Sequence, residues 1–518
     1  MATLNWVGKQ AVINHDKEVP FKLLKKIKSA SVGTSQNLIV HGDNLEALKA
    51  LMPHYQGRVK CVFIDPPYNT GNEGWVYNDK VNSPKIRQWL GKIVGSQSED
   101  LNRHDKWLCM MYPRLKLLRD LLSQDGAIFL VIDDNEVSNA RILLDEVFGE
   151  ENFVATSVWQ KVFAKKNKAR FFSGSHDYIH IYAKNIESWN RNLLPRTEED
   201  LKNFKNPDND PRGPWQSVAF TVQSESAERR KQYRYEILLP SGRKVVPPVG
   251  RHWNGLENRY FELKADNRLW FGEKGDSIPR EKTFLSEVQQ GVVPDTWWAH
   301  EEVGNNQEAK KEILELFGGS EPFNTPKPLR LIKRILMLAT SKNSLVLDSF
   351  AGSGTTAHAV LDLNKEDGGD RKFVLVEMED TVAKKVTAER VRRAIKKYGY
   401  KDGFEYCELD KPLFNEHGQI EETCDFDQFA SYIYFTETQT NIDPAKVKGN
   451  YIGENGSIEY YLIYKEPHKN DLDKSFLKRL SKTDEKKIVY ADRCTLDEAD
   501  LTEYNLVFKQ IPYEVKVF

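Results

Sequence analysis

The sequence is poor in cysteine and has no long hydrophobic segment. Its five cysteines form no C-x-x-C pair, so neither a zinc site nor a redox pair is expected, and no metal is predicted. No apolar run approaches the length that spans a bilayer, and the opening MATLNWVGKQ lacks the apolar block of a signal peptide. We therefore expect a cytoplasmic protein without a membrane partner.

The chain also lacks an excess of charge of either sign. Its 75 basic residues balance 76 acidic ones, which leaves a net charge of −1 over 518 residues. Any DNA-binding surface must therefore be local. The clearest candidate is KVFAKKNKAR at 161–170, and a solvated charged loop is its alternative interpretation. The basic residues of this run are Lys161, Lys165, Lys166, Lys168 and Arg170.

Periodicity predicts an α/β protein with a doubly wound, mostly parallel sheet. Strand-like runs alternate with segments of helical periodicity, and this alternation is typical of a parallel sheet with helices on both faces. The clearest strand-like runs are VKCVFI (59–64), GAIFLVIDD (126–134), SLVLD (344–348) and FVLVE (373–377).

Changes in texture predict five regions along the chain. The stretch from 185 to 300 is rich in turn signals and holds six of the 11 tryptophans, so it is expected to be a separate, strand-rich insertion. The predicted regions are a basic, irregular or helical lead-in (1–36), the first half of the sheet domain (37–184), the insertion (185–305), the second half (306–400) and a small α+β module (401–518).

The run VKCVFIDPPYNTGN at 59–72 ends a strand in an acid, two prolines and a tyrosine. Pro66 and Pro67 remove two backbone donors, which leaves nearby carbonyl groups available to a ligand. Such a loop suits transfer of a methyl group to an exocyclic base amine, which is a poor nucleophile. Acceptance of its hydrogens by Asp65 and the Pro66 carbonyl favours a tetrahedral, reactive nitrogen. Tyr68 would stack on a base drawn from the duplex; a proline-rich structural turn is the alternative.

A second motif, LVLDSFAGSGTTAHAV at 345–360, joins a strand to a helix through a glycine loop. Gly352, Gly354 and Glu377 also fit the dinucleotide-binding fingerprint, so a nicotinamide or flavin oxidoreductase is one interpretation. Asp348 argues against it, because a carboxylate directly before the glycine turn would repel a pyrophosphate. The same carboxylate would attract the amino and sulfonium charges of S-adenosylmethionine (AdoMet). An ordinary turn capped by Asp348 is the structural alternative.

Together these motifs resemble the amino-methylating DNA methyltransferases of the β order, in which the catalytic motif precedes the cofactor motif. The resemblance covers roughly residues 37–400. It implies the AdoMet-dependent methyltransferase fold, with the insertion as target-recognition domain between a catalytic and an AdoMet-binding half. The motifs that carry it are DPPYNTG (65–71), DSFAGSGTT (348–356), FNTPKPLRLIKRIL (323–336), FVLVEME (373–379) and HGDNLEAL (41–48).

The resemblance assigns roles to individual residues. An aspartate before P-P-Y favours the N6 amine of adenine, and the N4 amine of cytosine is the alternative. The implied catalytic residues are Asp65, Pro66, Pro67 and Tyr68. The implied cofactor contacts are Asp43, Asp348, Phe350, Gly352, Gly354, Thr355, Glu377 and Lys327.

Shorter details are similar to the modification (Mod) subunits of type III restriction-modification systems. This narrower resemblance implies a homodimer that acts on double-stranded DNA and pairs with an ATP-dependent restriction (Res) subunit. The chain itself has no GxxxxGK[ST] loop, so restriction would require another chain. An orphan methyltransferase and a catalytically silent DNA-binding subunit are the alternatives. The details are DPPYNTGN, YND (77–79), SHDYIHIYAK and GNNQEAKKEI.

Overall fold

The computed structural model forms two compact units, Leu193–Pro294 and the remainder of the chain. The smaller unit is shorter at both ends than the predicted insertion at 185–305. The structure describes residues 4–33, 35–70, 91, 102–164, 171–223, 228–414, 420–421, 424–465, 469–483 and 485–511.

The strands belong to one large sheet and several small ones. In chain order they are β1 (Lys22–Lys26), β2 (Leu38–His41), β3 (Val59–Ile64), β4 (Leu122–Ile132), β5 (Phe153–Gln160), β6 (His176–Ala183), β7 (Trp215–Ala219), β8 (Thr221–Gln223), β9 (Ile237–Leu238), β10 (Lys244–Val245), β11 (Arg251–Trp253), β12 (Leu269–Trp270), β13 (Arg280–Phe284), β14 (Trp297–Trp298), β15 (Leu345–Asp348), β16 (Lys372–Glu377), β17 (Glu405–Pro412), β18 (Tyr451–Asn455), β19 (Ile458–Leu462), β20 (Asp471–Leu472), β21 (Lys486–Ala491), β22 (Arg493–Cys494) and β23 (Leu506–Gln510).

Helices cover the sheet, and no helix in the described ranges is long and apolar enough to cross a bilayer. In chain order they are α1 (Lys9–Val12), α2 (His15–Glu18), α3 (Asn44–Tyr55), α4 (Arg103–Leu121), α5 (Val137–Phe148), α6 (Glu198–Leu201), α7 (Glu257–Ala265), α8 (His300–Val303), α9 (Asn306–Leu316), α10 (Leu329–Ala339), α11 (Thr355–Asp367), α12 (Asp380–Val382), α13 (Ala388–Tyr398), α14 (Phe426–Thr438), α15 (Lys474–Leu477) and α16 (Glu498–Glu503).

Within the described residues, the large sheet has ten strands in the order β1-β17-β2-β16-β15-β3-β4-β6-β5-β14. The strands from β17 to β4 are parallel to one another, whereas β1 and β6 run antiparallel to their neighbours β17 and β4. The central strands β3 and β16 are almost continuously apolar and buried, as expected for strands covered on both faces. The predicted fold class, a doubly wound and mostly parallel sheet, is confirmed.

Two elements join this sheet from regions predicted to lie outside it. Strand β1 pairs with β17, so the prediction of an irregular or helical lead-in missed a strand. The strand was missed because its sequence, KLLKK, has one apolar pair between lysines and therefore little alternation of apolar and polar residues. Strand β17, from the predicted C-terminal module, pairs with β2 in the central sheet. Beyond it, β18, β19, β21 and β23 form a separate four-stranded sheet, which has its own helix, α14.

The smaller unit is built from short strands around a compact aromatic core. Trp253, Phe220 and Tyr260 are buried at its centre together with Ile237 and Leu239. Only three of the six tryptophans that suggested the insertion lie in this unit, because residues 189, 297 and 298 belong to the larger one. The high tryptophan content therefore indicated the region of the insertion but did not define its ends.

Candidate active site

Three carboxylates lie at the ends of three adjacent parallel strands. Asp65 directly follows β3, Asp348 ends β15 and Glu377 ends β16. The carboxyl edge of an open parallel sheet is where such folds bind ligands. All three residues line one cavity of about 300 Å³, so the two sequence motifs, far apart along the chain, share one site.

The two carboxylate oxygens of Asp65 differ in their hydrogen bonds. Its Oδ2 accepts a hydrogen bond from the Lys327 ammonium. Its Oδ1 is buried and has no hydrogen-bond partner within the described parts of the chain. Buried acceptors are normally satisfied, because leaving one without a donor is costly. This atom is therefore suited to bind a donor of a ligand in the cavity.

The rest of the D-P-P-Y loop is fixed by side chains of other elements. The Trp107 indole donates to the Pro67 carbonyl at 2.8 Å. The Tyr68 hydroxyl donates to Asp177 Oδ2 at 3.2 Å. Burial, helped by the carboxylates of Asp177 and Asp65, raises the pKa of Tyr68 well above its ordinary value. Tyr68 is thus a neutral ring, and the loop that carries it is rigidly held.

Asn69 closes this loop in a left-handed backbone conformation, with φ of 57°. Its amide donates to the Arg103 carbonyl at 3.0 Å and to the fully buried Glu136 carboxylate. In return, Arg103 donates to the Asn69 carbonyl at 3.0 Å. Asparagine tolerates positive φ better than most residues. These bonds tie the end of the D-P-P-Y loop to the start of α4, and the sequence had not predicted them.

Asp348 is bonded within its own loop. Its Oδ1 accepts from the Phe350 amide at 3.0 Å, and its Oδ2 accepts from the Thr356 hydroxyl at 2.6 Å. The residue is 2% exposed, and this burial raises the pKa of Asp348 to about 7. Both protonation states are therefore accessible near neutral pH, and a cationic ligand would favour the charged one.

The glycine loop is shaped by close backbone contacts. The Gly352 amide donates to Glu377 Oε2 at 2.8 Å, and its carbonyl accepts from the Thr387 hydroxyl at 2.6 Å. Gly354 has φ of 75°, and a Cβ there would lie 3.0 Å from the Thr387 carbonyl oxygen. Glycine is favoured at this position both by its left-handed backbone and by this close approach.

Lys327 links the two loops. Its ammonium pairs with Asp65 and lies 5.1 Å from the centroid of the Tyr68 ring. Its carbonyl accepts from the Thr355 hydroxyl at 3.2 Å, and the buried Arg390 donates to that hydroxyl at 2.7 Å. A single residue therefore touches the D-P-P-Y loop with its side chain and the start of α11 with its backbone.

Asp43 acts as the N-cap of α3. Its Oδ1 accepts from the amides of Leu45 and Glu46, at 2.9 and 3.3 Å. Its neighbour Asn44 lines the cavity and donates to the Ser349 carbonyl at 3.4 Å. The residue that borders the cavity is thus the one after the predicted contact.

The structure brings most of the predicted residues together. The four predicted catalytic residues line the cavity, and so do the predicted cofactor contacts Asp348, Phe350, Gly352, Thr355, Glu377 and Lys327. Asp43 and Gly354 are not among the described lining residues. Lys161, predicted as a DNA contact, lines the cavity and pairs with Asp177. The remainder of that basic run, Lys165, Lys166, Lys168 and Arg170, and the YND detail at 77–79 lie outside the described residues.

Several lining residues were not predicted. Phe323, Met378 and Glu379 stand inside quoted motifs, where they could have been proposed as neighbours of predicted contacts. Asp177 and Asn306 stand inside the details SHDYIHIYAK and GNNQEAKKEI, to which the resemblance gave no site role. They reach the cavity only because of the way in which the chain folds.

A mostly parallel sheet whose D-P-P-Y and glycine loops meet in one cavity is the arrangement that the resemblance to methyltransferases implied. The chain belongs to the N6_N4_Mtase family, described as DNA methylase, whose model matches residues 59–390. The family predicted from the motifs is thereby confirmed.

Curated relatives extend this match. The chain is 38% identical to the Mod subunit of the type III restriction-modification enzyme StyLTI of Salmonella typhimurium, over 70% of this chain and 57% of that protein. It is 31% identical to the EcoPI Mod subunit of Escherichia phage P1, over 76% and 68% of the two chains. The match thus spans little more than half of the Salmonella protein. A solved PvuII cytosine-N4-specific DNA methyltransferase is 13% identical, over 69% and 87% of the chains, with a TM-score of 0.35.

Proposed function

We propose that this protein transfers a methyl group from AdoMet to the N6 amine of an adenine flipped out of double-stranded DNA. The observation that carries the proposal is the shared cavity, into which both the D-P-P-Y loop and the glycine loop open. Asp65 Oδ1, which has no hydrogen-bond partner among the described residues, gives that cavity an acceptor for a substrate donor. A dinucleotide site would need neither this acceptor nor the buried acid before the glycine turn.

The residues of the glycine loop fit AdoMet. The positive charges of AdoMet suit a cavity lined by Asp348 and Glu377. The pKa of Asp348, about 7, allows its carboxyl group to be ionised at neutral pH. Phe350, Gly352 and Thr355 would complete the contact, while Asp43 and Gly354 would support it from behind. AdoMet supplies an electrophilic methyl group on a sulfonium leaving group.

The catalytic loop acts on the amine. Asp65 Oδ1 and the Pro66 carbonyl accept hydrogen bonds from its two N–H groups, which concentrates the nitrogen lone pair for attack on the methyl carbon. As the N–C bond forms, the bond from the methyl carbon to sulfur would break, the thioether would leave, and the nitrogen would release one proton to solvent. Pro67 stiffens this loop, and the neutral Tyr68 ring provides the face on which the extruded base stacks. Metal chemistry and a covalent enzyme intermediate have no part in this mechanism.

Adenine is proposed because an aspartate precedes P-P-Y, as the family resemblance implies. The type III Mod relatives support a role as the modification subunit of a restriction-modification system, with an ATP-dependent Res subunit as partner. We extend the proposal to a cytoplasmic homodimer in which residues 193–294 act as the target-recognition domain. The basic segment from Lys161 to Arg170 would contact DNA phosphates.

The proposal is tested with labelled AdoMet and unmethylated genomic DNA. The DNA is digested to nucleosides, and the labelled nucleoside is identified by mass. We expect N6-methyladenine. Label in N4-methylcytosine would contradict the choice of base and leave the reaction intact, whereas AdoMet binding without transfer to DNA would contradict the proposed reaction.

The proposed homodimer is tested separately by light scattering, which is expected to give twice the mass of one chain.

A further inference from the structure

Asp177 is a buried carboxylate in the cavity wall that the predicted catalytic set does not include. It lies near the start of β6, is 1% exposed and lines the cavity. One oxygen accepts from the Tyr68 hydroxyl at 3.2 Å, and the other lies 2.5 Å from the Lys161 ammonium. A carboxylate is costly to bury unless it is paired and hydrogen-bonded. Asp177 meets that condition through Tyr68 of the D-P-P-Y loop and through Lys161, which directly follows β5.

Lys161 and Asp177 together hold the Tyr68 ring. The Lys161 ammonium lies 5.9 Å from the ring centroid, while Asp177 holds the hydroxyl at the edge of the ring. Strands β5 and β6 pair antiparallel, with Trp159 opposite Asp177. A side chain held from paired strands keeps its orientation better than one supported by a loop alone.

We propose that Asp177 is a positioning residue for methyl transfer, which fixes the Tyr68 ring as the stacking face beside Asp65. This inference rests on the proposed function, since it requires a base to stack. Tyr68 contributes a ring and no reacting atom, so loss of its anchor should misplace the base and slow the transfer step. AdoMet binding should change little, because the glycine loop is held by other bonds.

The same strand offers a matched control. The Tyr182 hydroxyl of β6 donates to Asp145, and Asp145 also pairs with Arg141 at 3.2 Å. This trio repeats the chemistry of Tyr68, Asp177 and Lys161. Asp145 and Tyr182 are not among the described residues that line the cavity. Asp145→Asn therefore removes a similar carboxylate without a route to the base.

The test measures single-turnover methyl transfer at saturating AdoMet. The substrate is an unmethylated duplex that contains the sequence at which the wild-type protein methylates genomic DNA. The variants are Asp177→Asn, Tyr68→Phe, the double variant and Asp145→Asn, and calorimetry gives their AdoMet affinities. We expect each single change at the cavity to slow transfer by about tenfold to a hundredfold. The double variant should be no slower than the slower single one. Asp145→Asn should keep the wild-type rate, and AdoMet affinities should stay within about threefold.

If the wild-type protein methylates DNA, three results would overturn this inference and leave the proposed function standing. They are an unchanged rate for Asp177→Asn, multiplicative losses in the double variant, and equal losses for Asp145→Asn. If Asp177→Asn fails to fold, Tyr68→Phe decides, since it removes only the hydroxyl and a wild-type rate would refute the anchor. Wild-type protein that transfers no methyl group would overturn the proposed function itself.

Discussion

The catalytic loop and the glycine loop each present an aspartate to the same cavity, and their surroundings differ. Asp348 has both oxygens bonded within its own loop. Asp65 has one oxygen paired with Lys327 and the other without a partner in the described structure. The first arrangement fixes the position of a carboxyl group, whereas the second keeps an acceptor available. The difference supports the proposed roles, in which Asp348 binds AdoMet and Asp65 contacts the reacting amine.

The largest effect is expected from Asp65→Ala. Removal of a preorganised acceptor at a reacting centre typically costs about 10²- to 10³-fold in kcat. Methyl transfer should fall by at least that factor, and AdoMet affinity measured by calorimetry should stay within about threefold. An active Asp65→Ala variant would contradict the assigned mechanism and favour a different acceptor.

Asp348→Asn should show the opposite pattern. Loss of a buried charged contact should weaken AdoMet binding by about tenfold to a hundredfold, with a smaller effect on transfer once AdoMet saturates. Slower methyl transfer with unchanged AdoMet affinity would instead indicate that Asp348 acts on the reacting base amine. Calorimetry on the variant, with thermal unfolding as a check of folding, makes the distinction.

The pH dependence of AdoMet binding sharpens this role. Burial raises the pKa of Asp348 from its ordinary 3.8 to about 7, so below neutral pH a proton must leave before a cation binds. The Kd for AdoMet should therefore fall with rising pH, by at most about tenfold per unit, and level off above about pH 7. The folded protein holds this proton more tightly than the unfolded chain, so the Asp348 contribution to stability declines as pH rises from about 4 to 7. Asp348→Asn should flatten the binding curve, and an unchanged slope would point to another group.

Lys327→Met distinguishes two roles for that lysine. The family resemblance implies a cofactor contact, whereas the structure pairs its ammonium with Asp65. We expect kcat to fall by about tenfold to a hundredfold while AdoMet affinity changes less than about threefold. Lys333→Met is the control, since Lys333 pairs with Asp362 and Glu366 outside the described lining of the cavity. A selective loss of AdoMet affinity would restore the predicted role.

Gly354→Ala should have the smallest effect. Left-handed backbone costs an alanine roughly 1–2 kcal/mol, and its Cβ would also press on the Thr387 carbonyl oxygen. Gly368, at the other end of α11, has a similar φ of 67°, and no atom of the described chain lies within 4 Å of the place that its Cβ would take. Gly368→Ala should therefore lower the unfolding free energy less than Gly354→Ala does. Equal losses in urea titrations would show that the close contact at Gly354 has no energetic effect.

The sequence was sufficient to predict the strands that carry the chemistry. Buried parallel strands read as short apolar runs, and Asp65 and Asp348 follow such runs directly. Asp177 stands inside the quoted detail SHDYIHIYAK, but its role was not predicted, because it approaches Tyr68 only through the antiparallel addition of β6 to β4. Charge patterns carried no spatial information, so Lys161 was grouped with a basic run although its ammonium faces Asp177.

The smaller unit was harder to predict than the cavity. Its strands have two to five residues, too short for periodicity to define their ends. Its buried Lys282, paired with Asp208 and Asp210, looks like any charged residue in the sequence. Pairing of distant side chains, rather than local pattern, decides such structure.

The most direct test of the two roles is single-turnover methyl transfer by Asp65→Ala and Asp348→Asn as AdoMet is raised to saturation. We expect Asp348→Asn to approach the wild-type rate, whereas Asp65→Ala should stay at least about a hundredfold slower. Recovery of Asp65→Ala by added AdoMet, with Asp348→Asn still slow, would contradict the assignment of the two aspartates.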